Sequence, residues 1–91
     1  MPRRSQLEIY FDVLAVIDRG HSKPTRIMYK TNLSWTSLQK TFETLIDGGF
    51  IQQEAFKNSK RYSITDKGRN ALSYHLKSRD GLTQVHPRYS R

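Results

Sequence analysis

Residues 23–68 read KPTRIMYKTNLSWTSLQKTFETLIDGGFIQQEAFKNSKRYSITDKG. Two short segments of helical periodicity are split by Thr31-Asn32-Leu33, and Gly48-Gly49 stops the second of them. A short basic reversal and a further helical segment follow. Each boundary has a chemical cause. Pro24 suits the first turn of a helix, where its missing N–H costs nothing, so helix 2 is expected over residues 24–30 with Ile27 and Met28 inward. Asn32 tolerates left-handed backbone angles, and Leu33 is placed to plug the core between the two helices. Ser34 is a natural N-cap for helix 3, its hydroxyl accepting from a free N–H one turn in. Leu38, Phe42, Leu45 and Ile46 recur at helical spacing and define the buried face. One of Gly48 and Gly49 is expected in the left-handed C-cap conformation.

Beyond the Gly pair, residues 50–56 and 61–65 have extended character, joined by the polar turn Lys57-Asn58-Ser59-Lys60. In the second strand Tyr62 and Ile64 point one way, Arg61 and Ser63 the other. Thr65 can cap helix 4, expected over residues 66–79 and packing through Leu72 and Leu76. Upstream, helix 1 is expected over residues 5–19, with Gly20 ending it. Leu7, Tyr10, Phe11, Leu14 and Ile17 form one apolar stripe on it, and Ile9, Val13 and Val16 form a second. A helix packed on one side of a small domain needs only one stripe. Helix 1 is therefore either deeply buried or covered by a second copy of the chain, and in so short a chain the second copy is preferred.

Composition narrows the class. The chain has 91 residues, enough for one domain with a modest core. Lys and Arg number 16 against 8 Asp and Glu, a formal net charge of +8. Such a balance favours polyanions, because Lys and Arg neutralise phosphates and release condensed counterions. The charges are spread along the chain rather than along one face of a long helix, which argues against a membrane surface. No apolar run approaches the roughly 20 residues that span a bilayer. Glu8 and Asp12 interrupt the early apolar stretch, so it reads as a folded helix and not as a signal sequence. Cysteine is absent, which removes disulfides and thiolate metal sites. His21, His75 and His86 lie far apart in sequence, so no metal is expected. No Gly-rich phosphate loop and no nucleophile–base arrangement stands out, and neither a cofactor nor an enzymatic activity is expected.

The phrase NLSWTSLQKTFETLIDGGFI at residues 32–51, followed by a short basic hairpin and YSITDKG at residues 62–68, resembles the archaeal winged helix-turn-helix DNA-binding regulators. The likeness extends over residues 7–76 and is strongest to a small archaeal group. That group includes the ArnR-like regulators and abundant dimeric chromatin-associated proteins. The resemblance implies a mainly α fold with a small β-hairpin (α+β), in the order helix 1, helix 2, helix 3, strand, strand, helix 4. The domain is expected to occupy residues 1–79 and a basic, flexible tail residues 80–91. Chromatin-associated members carry a long C-terminal helix that pairs as a coiled coil. Here no heptad pattern continues after Leu76.

Three surfaces are candidate contacts for duplex DNA. On helix 3, Ser34, Thr36, Ser37, Lys40, Thr41 and Thr44 are expected on the side opposite the apolar face. Such side chains can donate to phosphates or reach base edges in a major groove. The hairpin tip carries Lys57, Asn58, Lys60 and Arg61, suited to a backbone or a minor groove. At the start of helix 2, Lys23, Thr25 and Arg26 lie beside free N–H groups, a ready phosphate site. The same features also fit plainer roles, since hairpin loops are commonly polar and solvated helix faces carry hydroxyls. Trp35 is expected to be partly buried near Leu38 and Phe42. A homodimer is expected through Ile9, Val13 and Val16, with Tyr74 of helix 4. The reading is a transcriptional regulator that binds duplex DNA site-specifically, in the cytoplasm and on the nucleoid, without membrane or metal partners. Two alternatives stay open: an architectural coater indifferent to sequence, and a winged helix used for protein–protein contact.

Overall fold

The computed structural model describes residues 4–84. Its elements are α1 (Gln6–Asp18), α2 (Pro24–Thr31), α3 (Trp35–Asp47), β1 (Ile51–Phe56), β2 (Ser59–Ile64) and α4 (Asp66–Gln84). The order is the expected one. Local chemistry sets the ends of each helix. Ser5 and Glu8 form a reciprocal capping box at the start of α1, each side chain bonding the other's backbone N–H. Asn32 ends α2 in the left-handed region at φ 59°, and Ser34 Oγ accepts from the Ser37 N–H at 3.1 Å to open α3. Gly49, at φ 78°, is the member of the Gly pair that adopts the left-handed conformation.

The core is a single cluster. Val13, Leu14, Val16 and Ile17 of α1 meet Ile27 of α2, Leu38, Phe42 and Leu45 of α3, Ile51 and Tyr62 of the hairpin, and Leu72 of α4. Helix α1 packs against α2, α3, β2 and α4 together. That explains its second apolar stripe. Val13 and Val16 are 0 % and 6 % exposed, so they face the interior and are not available to a second copy. The deeply buried alternative holds for the C-terminal half of α1. In the N-terminal half the reverse applies: Leu7, expected in the core stripe, is largely exposed, and Ile9 is half-buried. The first turn of α1 lies beyond the edge of the core. Leu76 is likewise half exposed, because it faces Arg4 and Glu8 at that open end, whereas Leu72 reaches the core.

Strands β1 and β2 pair antiparallel, with Ile51 opposite Ile64 and Phe56 opposite Ser59. The reversal is tighter than the sequence suggests. Only Lys57 and Asn58 make the turn, and Ser59 and Lys60 belong to β2. Lys57 makes this possible by adopting φ 57°, the backbone sign that two-residue hairpin loops need at their first position.

The hairpin joins α4 through a compact knot. Thr65 Oγ1 donates to the Gly49 carbonyl at 2.6 Å and accepts from the Gly68 N–H at 3.0 Å. The Thr65 N–H donates to the Phe50 carbonyl at 3.0 Å. Lys67 Nζ donates to the Gly48 carbonyl at 2.7 Å and lies 4.8 Å from the Phe50 ring centroid. Gly68 is buried directly against the backbone of Phe50. Helix α4 then continues to Gln84, five residues beyond the expected end at Arg79. Residues 80–84, the start of the expected tail, are carried within the helix; the single Gly81 costs about 1 kcal/mol there and does not by itself terminate it. The rest of the expected tail, residues 85–91, lies outside the described residues.

A Cβ added at residue 68 would lie 2.0 Å from the Phe50 carbonyl oxygen. Ala is the better helix former, by roughly 0.5–1 kcal/mol, yet Gly68→Ala is expected to destabilise the domain by at least about 2 kcal/mol through overpacking. Thermal unfolding of the two proteins measures the sign directly. An unchanged or raised midpoint would show that α4 can back away from Phe50.

Candidate nucleic-acid interface

Helix α3 presents Trp35, Thr36, Ser37, Lys40, Glu43 and Thr44 to solvent, while Leu38, Thr41, Phe42 and Leu45 face inward. Thr41 is the correction on this helix. It is 1 % exposed, and its hydroxyl donates to the Ser37 carbonyl at 2.9 Å. The spacing contained the signal, since Thr41 lies three residues after Leu38 and four before Leu45. Its polarity obscured the pattern. A threonine can enter a core because its hydroxyl bonds back to its own helix, as Thr31 also does to the Ile27 carbonyl at 2.8 Å. Ser34 is exposed, with its Oγ engaged as the cap of α3. Trp35 is 48 % exposed, more open than expected.

At the start of α2, Lys23, Thr25 and Arg26 are exposed and share a shallow depression with Tyr29. Lys23 occupies the N-cap position without a side-chain cap bond. The N–H groups of Thr25 and Arg26 therefore keep the unfilled character of a helix start. Lys30 is exposed at the other end of the helix.

Lys57, Asn58 and Lys60 are exposed at the hairpin tip, and Arg61 is half-buried. Arg61 Nη1 donates to Ser59 Oγ at 2.7 Å, and its guanidinium lies 5.1 Å from the Phe56 ring centroid. Tyr62 anchors the hairpin from its inner face. Its ring stacks on Phe42 with centroids 4.0 Å apart, and its hydroxyl donates to Gln53 Oε1 at 3.1 Å. The Tyr62 N–H donates to the Ser22 carbonyl at 2.9 Å, tying the hairpin to the loop that precedes α2.

Charge is partitioned across the molecule. Ion pairs among the described residues include Arg4–Asp12, Arg69–Asp18 and Arg69–Asp66, on α1, α4 and the segment leading into α1. Lys23, Arg26, Lys30, Lys40, Lys57, Lys60 and Arg61 have no carboxylate partner among the described residues. These seven lie on α2, its cap, α3 and the hairpin, whereas Arg19, Lys67 and Lys77, likewise without a carboxylate partner, are scattered over the end of α1 and α4. Exposed large apolar side chains among the described residues lie on both groups of elements: Tyr29, Trp35 and Phe56 on α2, α3 and the hairpin, Leu7, Tyr74 and Leu76 on α1 and α4. No helix among the described residues is long and apolar enough to cross a membrane.

A short helix pair with a tight turn, a basic hairpin and a closing helix packed beside the first helix is the architecture of winged helix-turn-helix proteins. The chain belongs to that family: the winged helix-turn-helix sequence profile matches residues 3–81. It is 38 % identical over 71 residues to an uncharacterised protein of Methanocaldococcus jannaschii, spanning 69 % of that protein. A second uncharacterised protein of the same archaeon is 32 % identical over 66 residues, which cover 29 % of its length. Among solved structures, Sso10a-2, a DNA-binding protein from Sulfolobus solfataricus, has a TM-score of 0.70 and 26 % identity, covering 96 % of this chain and 94 % of that one. Staphylococcus aureus MarR has a TM-score of 0.75 at 19 % identity, covering 84 % of this chain and 53 % of that one. Streptococcus pneumoniae FabT, solved with DNA, has a TM-score of 0.70 at 14 % identity, covering 84 % of this chain and 56 % of that one. The chain thus spans little more than half the length of these two proteins, and the likeness to them is one of fold.

Burial raises the pKa of the Tyr62 phenol, because the charged form would lose solvation. An acid with a raised folded value stabilises the fold fully below its unfolded value, and that contribution is lost as pH rises through the folded value. Above about pH 10 the melting midpoint of the natural chain is therefore expected to fall more steeply than that of Tyr62→Phe. Thermal melts from pH 8 to 11 compare the two slopes, and parallel curves would remove Tyr62 as the cause.

Proposed function

We propose that this protein binds duplex DNA as a small transcriptional regulator, with α3 in the major groove and the hairpin along the backbone or in the minor groove. The start of α2 holds a phosphate through Lys23, Arg26 and the free N–H groups of the first turn. Thr36, Ser37, Lys40 and Thr44 face the groove, while Lys57, Asn58, Lys60 and Arg61 contact the flanking backbone. Ser34 acts through its cap, presenting the first turn of α3. The carrying observation is the charge partition: cations on these elements lack carboxylate partners, while the ion pairs gather on the other side of the domain. The near full-length likeness to Sso10a-2, described as a DNA-binding protein, supports the same partner. Binding to DNA would place the protein on the nucleoid, in the cytoplasm.

A homodimer through α1 and α4 is part of this reading. Tyr74 remains a candidate contact and Ile9 is still partly accessible, with Leu7 and Leu76 taking the place of the buried Val13 and Val16. Light scattering at micromolar concentration is expected to give twice the 10.7 kDa chain mass, and a monomer would remove this element of the proposal.

The DNA reading is tested by fluorescence anisotropy with random-sequence duplex across a salt series. Binding is expected to weaken steeply with salt. The log–log slope should be about −0.9 per phosphate contacted, hence roughly −6 per protomer if the seven unpaired cations of α2, its cap, α3 and the hairpin engage. Lys40→Ala separates two roles for α3. Equal weakening on every sequence assigns Lys40 to phosphate, whereas relaxed preference at one base pair assigns it to base readout. A preferred site bound far more tightly than random DNA supports a regulator, and indifference to sequence supports an architectural coater. Absence of binding at low salt would overturn both and leave protein–protein contact as the function.

A further inference from the structure

The register of the hairpin assigns its residues to two faces. Ile51, Gln53 and Ala55 share one face with Lys60, Tyr62 and Ile64, and Tyr62 fixes this as the side that meets the core. Gln52, Glu54, Phe56, Ser59, Arg61 and Ser63 form the outer face. Phe56 is therefore an aromatic ring at the tip of a hairpin, on the side turned away from the core. It is 52 % exposed. Two cations lie over its ring, the Arg61 guanidinium at 5.1 Å and Lys57 Nζ at 5.8 Å from the centroid. Both distances are within cation–π range. Arg61 sits over this ring without an ion pair to Glu54, its cross-strand neighbour.

Nothing in the fold requires a ring at this position. A polar residue would leave the register, the turn and the core unchanged, and an exposed aromatic at a hairpin tip is a liability for solubility. The backbone beside it is also strained, since Lys57 holds φ 57° where Gly or Asn is the ordinary choice. An apolar plate flanked by two cations matches a groove whose floor is base edges and sugars and whose walls are phosphates.

We infer that Phe56 is a non-ionic contact to DNA, entering the minor groove and packing on deoxyribose and base edges while Lys57 and Arg61 engage the phosphates on either side. This rests on the DNA-binding reading above and adds a specific role to it. Apolar side chains that enter the minor groove open base steps, and the contact favours flexible pyrimidine–purine steps over stiff A-tracts. The hairpin then contributes sequence preference through deformability, in addition to charge.

The experiment compares the natural chain, Phe56→Ala and Lys57→Ala on one random-sequence duplex by anisotropy across a salt series. Far-UV melts accompany it to establish that the variants fold. Phe56→Ala is expected to weaken binding roughly tenfold at every salt concentration and to leave the log–log slope unchanged, because no phosphate contact is lost. Lys57→Ala is expected to lower the slope by about 0.9. Phe56→Leu, which keeps an apolar wedge, should recover part of the loss. If the natural chain binds and Phe56→Ala binds equally well, the inference fails while the DNA-binding reading stands. A loss accompanied by a reduced slope would also overturn it, by showing that the ring merely positions its neighbouring cations. Failure of the natural chain to bind would overturn the inference together with the reading it rests on.

Discussion

Thr65 lies where α3, the hairpin and α4 converge, and its single hydroxyl serves two of them. It donates to the carbonyl of Gly49, just past the end of α3, and accepts from the N–H of Gly68 in the first turn of α4. Its N–H closes on Phe50 at the base of the hairpin. Lys67 adds a bond to Gly48, and the missing side chain of Gly68 lets the two backbones touch. The angle between α3 and the hairpin is fixed at this point. Those are the two elements that a winged helix-turn-helix presents to a groove and its flanking backbone. The Tyr-x-Ile-Thr-x-Lys-Gly segment is therefore a structural joint rather than a binding motif. Tyr62 and Ile64 pack inward, Thr65 caps, Lys67 clamps and Gly68 admits the close approach.

The partition of charge follows from that architecture. Arg69 of α4 pairs with Asp18 of α1 and with Asp66 of its own helix, and Arg4, just before α1, pairs with Asp12. Exposed pairs of this kind contribute little stability, and among the described residues they engage no cation of α2, α3 or the hairpin. A phosphate backbone meeting α2, α3 and the hairpin encounters positive charge that no carboxylate has already engaged. Glu43 and Asp47 are the exceptions on α3, and they lie in its C-terminal half, away from the first turn that Ser34 caps.

Much of this was legible in the sequence because it depends on single residues with narrow backbone preferences. Pro24, Asn32, Ser34 and the Gly48-Gly49 pair each marked a boundary for a local physical reason, and each marks it in the fold. What was hidden depends on neighbours distant in sequence. Val13 and Val16 look superfluous until α2, α3, the hairpin and α4 are seen to surround α1. Thr41 looks like an exposed hydroxyl until its bond to Ser37 satisfies it within the core. Leu7 and Leu76 look buried until the core proves to end before them. Helix α4 looks finished at residue 79 until Gly81 proves to weaken the helix without ending it. Within the candidate interface, residue types were readable from the sequence, whereas the separation of paired from unpaired charge needed the fold.

The bond from the Tyr62 N–H to the Ser22 carbonyl joins two parts of the chain that lie 40 positions apart. One is the hairpin, and the other is the loop that delivers Lys23 and the open first turn of α2. A hairpin attached only at its base would swing independently, and ordering it on a ligand would carry its own entropic cost. With this tether the hairpin and the start of α2 are held in a fixed relation to one another. Engagement of either side leaves the other already aligned, so the two contacts add with little further loss of chain freedom. On the proposed DNA-binding reading, the spacing between these two contacts would be set by the peptide backbone, and side chains would choose among surfaces that fit it.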